Sequence, residues 1–199
     1  MRISSIILAV TIAITVSGCN YLFPKEKPKP PPAPHFKVPV IGIDFTTATK
    51  ETLTKALSNA NIGYLRTINN WEEQWEAGET FHGAEFIRIG FTEQHLLAYF
   101  QYDFKDKTAE KTVDIVNIVK GKFGEPSSED GEISSGGEYI ANWDMGDGTR
   151  IQVKRDYPKL MNHLTYFNDP LFDVLKLEFS ISAKRMINEE IEMRDRLFK

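Results

Sequence analysis

Four histidines and one cysteine are the side chains of this 199-residue chain best suited to nucleophilic, acid–base or metal chemistry: His35, His82, His95, His163 and Cys19. Metal centres built from neighbouring residues announce themselves by spacings such as His-x-x-x-His, and the chain has none. A Gly-x-Ser-x-Gly nucleophile elbow is absent, and "SSGG" (Ser134–Gly137) sits in a polar stretch with no strand leading into it. The glycine patterns that cradle phosphates are missing too. "DMGDG" (Asp144–Gly148) lacks the alternating acidic ligands and closing Glu of a calcium loop, so it reads as a turn. The adjacent carboxylates Glu72/Glu73 and Glu189/Glu190 read as solvated faces, since a two-carboxylate hydrolase needs opposed groups. The residues point to no enzyme, no cofactor and no metal. A hydrolase assembled from distant residues ranks third among the readings, its signature being His82, His95 or His163 meeting carboxylates.

The one cysteine has a telling position. The chain opens Met1-Arg2, runs apolar from Ile6 to Val16, and reaches Cys19 through Ser17 and Gly18. Eleven helical residues span only about 17 Å, short of the roughly 30 Å hydrocarbon core, so the run suits the apolar region of a signal peptide. Val16-Ser17-Gly18-Cys19 resembles the lipobox of bacterial lipoproteins. The resemblance implies cleavage before Cys19, a diacylglyceryl group on its sulfur, and usually an acylated amine. Two or three acyl chains hold a soluble domain at a membrane where one does so marginally. Asn20, standing where Asp would signal inner-membrane retention in enteric lipoproteins, implies an outer-membrane location facing the periplasm. Residues 1–18 are thus expected to be the signal peptide, and residues 19–37 a lipidated Cys with a linker. "PKEKPKPPPAPHFKVP" (Pro24–Pro39) cannot enter a helix or sheet, and extends to roughly 50 Å as a polyproline spacer.

The charge is −4, and removing residues 1–18 takes away Arg2 and no acid, leaving −5. No basic block marks a nucleic-acid footprint. With no second cysteine, the fold has no internal disulfide and rests on core burial, for which the roughly 160 residues after the linker suffice for one domain.

Periodicity gives the elements. "KVPVIGIDF" (Lys37–Phe45) predicts a strand. "TTATKETLTKALSNANIG" predicts a helix with Leu53, Ala56, Leu57 and Ala60 inside and Gly63 as its stop. In "INNWEEQWEAGETFHG", Trp71 and Trp75 are four apart and would share a helix face. "AEFIRIGFT" and "HLLAYFQYDF" predict a hairpin. "KTAEKTVDIVNIVKGKFGEP" predicts a second helix with Val113, Val116, Val119 and Phe123 on one stripe, stopped by Gly124 and Pro126. After the polar "SSEDGEISSGG" come "EYIANWDM" and "TRIQVKRDY", a hairpin joined at Asp147-Gly148. A short strand is expected around His163–Phe167. "DVLKLEFSIS" alternates strictly, predicting a further strand, and "AKRMINEEIEMRDRLFK" a charged terminal helix.

The fold class is therefore α+β: an antiparallel sheet, or two, with packed helices. The domain spans 38–182, with candidate repeat halves 38–106 and 107–182, before a C-terminal helix at 183–199. The arrangement is loosely similar to small α+β envelope lipoproteins of outer-membrane assembly and to tandem-repeat β-lactamase inhibitor proteins. "KFGEP" and "WDMGDGTRIQV" carry this likeness, and it transfers no functional residue. The leading expectation is a lipid-anchored, non-enzymatic domain that binds another envelope component, a protein, through Trp71 and Trp75 or a stripe of Met186, Met193 and Leu197. An inhibitor or small-ligand module using the open sheet face is the alternative.

Overall fold

A computed structural model describes residues 42–135 and 137–197. The signal peptide, Cys19 and the linker lie outside them, as do residues 37–41 of the first expected strand. The rest of that segment is no strand. Asp44 accepts the Thr46 N–H (2.9 Å) and hydroxyl (2.6 Å), closing a turn that buries Phe45.

Helix α1 (Lys50–Asn59) begins at a reciprocal cap: Thr49 Oγ1 accepts the Thr52 N–H, and Thr52 Oγ1 accepts the Thr49 N–H. It ends before Gly63, where Asn61 takes φ 55°. Two strands follow, β1 (Tyr64–Asn69) and β2 (Glu72–Glu76), where a helical pairing of the tryptophans was an option. Asn69 Oδ1 accepts the N–H groups of Trp71 and Glu72, which fixes a tight turn between them. The expected hairpin is β3 (Ala84–Phe91) and β4 (Leu97–Phe104).

Helix α2 (Ala109–Phe123) is capped by Thr108 and stopped by Gly124 at φ 82°, a conformation glycine adopts without strain. Its buried stripe is Thr112, Ile115, Val116 and Val119, whereas Val113 faces solvent. The polar stretch after it contains the edge strand β5 (Ser128–Gly131) and a 3-10 turn at Ile133–Ser135. Then come β6 (Tyr139–Asp144), β7 (Thr149–Arg155) and β8 (Asn162–Asn168).

The strands form one antiparallel sheet in the order β1-β2-β3-β4-β8-β7-β6-β5. Each of α1 and α2 precedes a four-strand meander, and the meanders meet at β4–β8, so the order reads symmetrically outward from the centre. One face carries the main core: Ile87, Phe100, Tyr102, Ile151 and Leu164 pack with Leu53 and Leu57 of α1 and Ile115 and Val119 of α2.

The other face receives α3 (Asp169–Leu197), which corrects two expectations at once. "DVLKLEFSIS" is helical, and the terminal helix starts at 169 instead of 183. Leu171, Phe172, Leu175 and Phe179 recur at helical spacing and pack on Ala98, Tyr99 and Phe167. The apparent alternation arose because Leu177 (60% exposed) and Ile181 (51%) point to water. Asn168 Oδ1 faces the Leu171 N–H at 3.4 Å, and Pro170 sits in the first turn, where its missing donor costs nothing. Twenty-nine helical residues extend about 43 Å. Only the first part meets the sheet, and every described side chain from Ala183 onward is exposed. No helix among the described residues is long and apolar enough to cross a membrane.

Candidate functional site

The sheet face that carries α3 is only partly covered by it, and strand register determines what occupies the remainder. Side chains alternate between faces, so residues paired across strands form rows. One row runs through all eight strands: Arg66, Gln74, Arg88, Gln101, Thr165, Gln152, Asn142 and Ser128. Every member is polar. Neighbours are linked by hydrogen bonds from Arg66 Nε to Gln74 (2.8 Å), Thr165 to Gln101 (3.0 Å), Gln152 to Asn142 (2.9 Å) and Asn142 to Ser128 (3.2 Å).

Next to this row lies an acid held by three partners. Asp103 is 4% exposed, yet Arg88 grips it bidentately (Nε–Oδ2 2.6 Å, Nη2–Oδ1 2.9 Å). Gln101 Nε2 donates to Oδ1 at 2.6 Å, and His163 Nδ1 lies 2.7 Å from the same oxygen. Burial alone would push the Asp103 carboxyl upward. The hydrogen bond with His163 and the hydrogen bonds and charge of Arg88 outweigh it and hold the group below the usual aspartate range.

His163 is thereby brought to carboxylates, the convergence that a hydrolase reading would look for. Its Nε2 faces Asp156 Oδ2 at 3.8 Å, so an acid stands on each side of the ring. The nearest hydroxyl in the row, Thr165, donates to Gln101. The group chemically resembles a clamp between β3, β4 and β8 more than an acid–base pair aimed at a substrate. His82 and His95 lie elsewhere: the His82 carbonyl accepts Lys111 Nζ (3.0 Å), and His95 occupies the β3–β4 turn at φ 62°. Among the described residues no three His, Cys, Asp or Glu side chains converge as metal ligands.

Where α3 meets the polar row, a cleft of about 320 Å³ opens. Tyr99, Phe167, Phe172 and Phe179 form its aromatic wall, with Glu72, Arg88 and Gln101 on the polar side and Lys176 at the rim. Tyr99 donates its hydroxyl to the Glu72 carboxylate; burial, and then that nearby negative charge, push the phenol far above its ordinary range. On the far side of α3, Arg150 stacks on Phe167 at 4.2 Å and pairs with Asp169 at 2.9 Å, pinning the first turn of the helix to the sheet.

The residues singled out from sequence are dispersed. Trp75 is 2% exposed in the main core, its indole donating to Glu73 at 3.2 Å, so it is no docking residue. Trp71 is half-buried, edge-on to Phe179 at 4.9 Å, and supports α3. Met186 and Met193 are exposed on the projecting part of α3, while the side chain of Leu197 lies outside the described set, as does Cys19. Asp144 and Asp147 accept N–H groups of Gly146 and Thr149, which accounts for their loop as turn chemistry. Sequence reasoning missed the polar row. Its signal was the second, non-apolar register of the same strands, visible only once the pairing is known.

No family model matches the chain, and no curated protein matches it. Among solved structures it is similar to a DUF4309 family protein (YjgB) from Bacillus subtilis subsp. subtilis str. 168, at 11% identity and a TM-score of 0.38, over 60% of this chain and 78% of that one.

Proposed function

We propose that this protein is a lipid-anchored lipoprotein of the bacterial envelope whose α+β domain, without catalysing a reaction, binds another envelope component through the open sheet face beside α3. The anchor is the lipid on Cys19, the address is the outer membrane facing the periplasm, and the spacer lets the domain reach its partner. The observation that carries the reading is the eight-strand polar row. Arg88, Gln101, Asn142 and Gln152 of the row are half-exposed and already oriented by hydrogen bonds, so a partner meets ordered donors and acceptors. A protein surface matches the length of such a row, which is why a protein is the favoured partner.

The cleft favours a second reading, a small ligand. An aromatic wall with a few polar groups is the usual make-up of a ligand site, and this cleft has the volume for a small one.

The test is crosslinking and recovery from envelopes, comparing the natural chain with Gln152→Arg, a change in the middle of the row at a half-exposed position. A specific protein is expected with the natural chain and its loss with the variant. Recovery of no specific protein, or equal recovery with both, would overturn the reading.

A further inference from the structure

We infer that two copies of this chain associate through an antiparallel pairing of their α3 helices along the face turned away from the sheet. Val174 (43% exposed), Leu177 (60%), Ile181 (51%) and Ile191 (44%) all lie on that face. Their intervals of three, four and ten residues fit the alternating three-and-four repeat of a coiled-coil seam, with Lys184 and Asn188 filling the two positions between Ile181 and Ile191. The sheet does not require this seam, because α3 already buries the opposite stripe, Leu175 and Phe179, against Tyr99 and Phe167. A helix that is apolar on two opposite faces has a second surface to cover.

The charges beside the seam select the occupant and its direction. In an antiparallel pair with Val174 across from Ile191 of the second copy, Leu177 meets Asn188 and Ile181 meets Lys184. The flanking positions then place Asp173 beside Arg194 and Glu178 beside Arg185, each twice by symmetry. A parallel pair in register sets Asp173 against Glu178 and forms no opposite-charge pair. An antiparallel pair shifted by one heptad sets Arg185 against Arg185 and Glu178 against Glu192. Only the stated register combines all four apolar seam residues with attraction on both flanks. Asp173 also holds Lys176 at 2.6 Å, and Glu178 accepts the Glu93 N–H at 3.0 Å, so both acids are oriented before a second copy arrives. The two sheets lie on the outer sides of the helix pair, and each projecting helix end runs alongside the docked part of the other. This pairing leaves the polar sheet face free, and it stands or falls independently of the function proposed for that face.

Sedimentation equilibrium of the full-length chain in detergent solution tests it by charge exchange at two surface positions. The natural chain should dimerise reversibly. Asp173→Arg alone or Arg194→Asp alone should each raise the dissociation constant about tenfold or more, and the double variant should return it to near the natural value. Ile181→Asp should be monomeric at concentrations where the natural chain is dimeric, with an unchanged circular dichroism spectrum showing an intact domain. A natural chain that stays monomeric at the highest concentration reached overturns the inference. So does a dimer indifferent to the single charge reversals, or a double variant no tighter than the singles.

Discussion

At the residue scale, the domain's most consequential choice is to bury an acid and surround it with donors. Asp103 is ionised in the fold because His163 and Arg88 reward the charged form by more than burial penalises it. Its carboxyl therefore lies below the unfolded value of 3.8, so the stabilisation it contributes is fully present above about pH 4 and fades as pH falls through the lower folded value. Thermal melts between pH 7 and about pH 3 should show the natural chain losing stability at the acid end. Asp103→Asn should melt lower at neutral pH and show a flatter acid limb; parallel curves would rule out this acid as the source. Gly90 makes a second, steric prediction. It pairs with Tyr99, and a Cβ there would overlap the Tyr99 ring, whose hydroxyl is tethered to Glu72. The ring cannot swing aside without losing that bond, so Gly90→Ala should cost about 1–3 kcal/mol in urea unfolding, as overpacked sites do. A neutral result would mean that the ring moves freely.

At the element scale, the sequence was most legible where an element is half-buried and capped by its own residues. Helix α2 could be read from its apolar spacing and its Gly124 stop, and the β3–β4 hairpin from its alternation, because one face of each meets the core and the other meets water. Legibility fell where that contrast disappears. Strand β8, expected as a short strand around His163–Phe167, is buried along its whole length, between the main core on one side and the Asp103 cluster and α3 on the other, so "NHLTYFN" shows no period to fix its bounds. Strand β5, "SEDG", is exposed throughout and held by its ladder with β6, so no apolar residue announces it. The polar row shares this difficulty: Arg88, Gln101 and Gln152 read as the wet side of three separate strands until pairing aligns them. In α3 two apolar stripes on opposite faces mimic a strand over ten residues, while Leu175 and Phe179 alone carry the true period. That difference is measurable. A strand would bury Leu175 and Leu177 on the same face, whereas the helix buries the first and exposes the second. At concentrations low enough to keep the chain monomeric, Leu175→Ala should cost about 2–5 kcal/mol and Leu177→Ala less than about 0.5 kcal/mol in the same unfolding assay. Equal costs would contradict the helix.

At the scale of the whole molecule, the question is what the proposed anchor at Cys19 gives a mildly acidic chain with one thiol. The strand order leaves the sheet with a packed face and a partly open one, and the open face is useful only if it is held where a partner passes. A soluble domain stays in one compartment by dilution, but one tied by two or more acyl chains is concentrated at the membrane surface. Under the proposed reading, Cys19, which lies outside the described residues, is the residue that would tie the domain to the envelope. The natural product should therefore have a mass corresponding to a chain beginning at Cys19 plus diacylglyceryl and amide-linked acyl groups. It should also fractionate with membranes and dissolve in detergent. Cys19→Ala removes the acyl acceptor and leaves every residue of the sheet in place, so the variant should shift out of the membrane fraction with its thermal unfolding unchanged. An unmodified thiol by mass spectrometry, an uncut leader, or unaltered fractionation of the variant would each show that the domain reaches its place by other means.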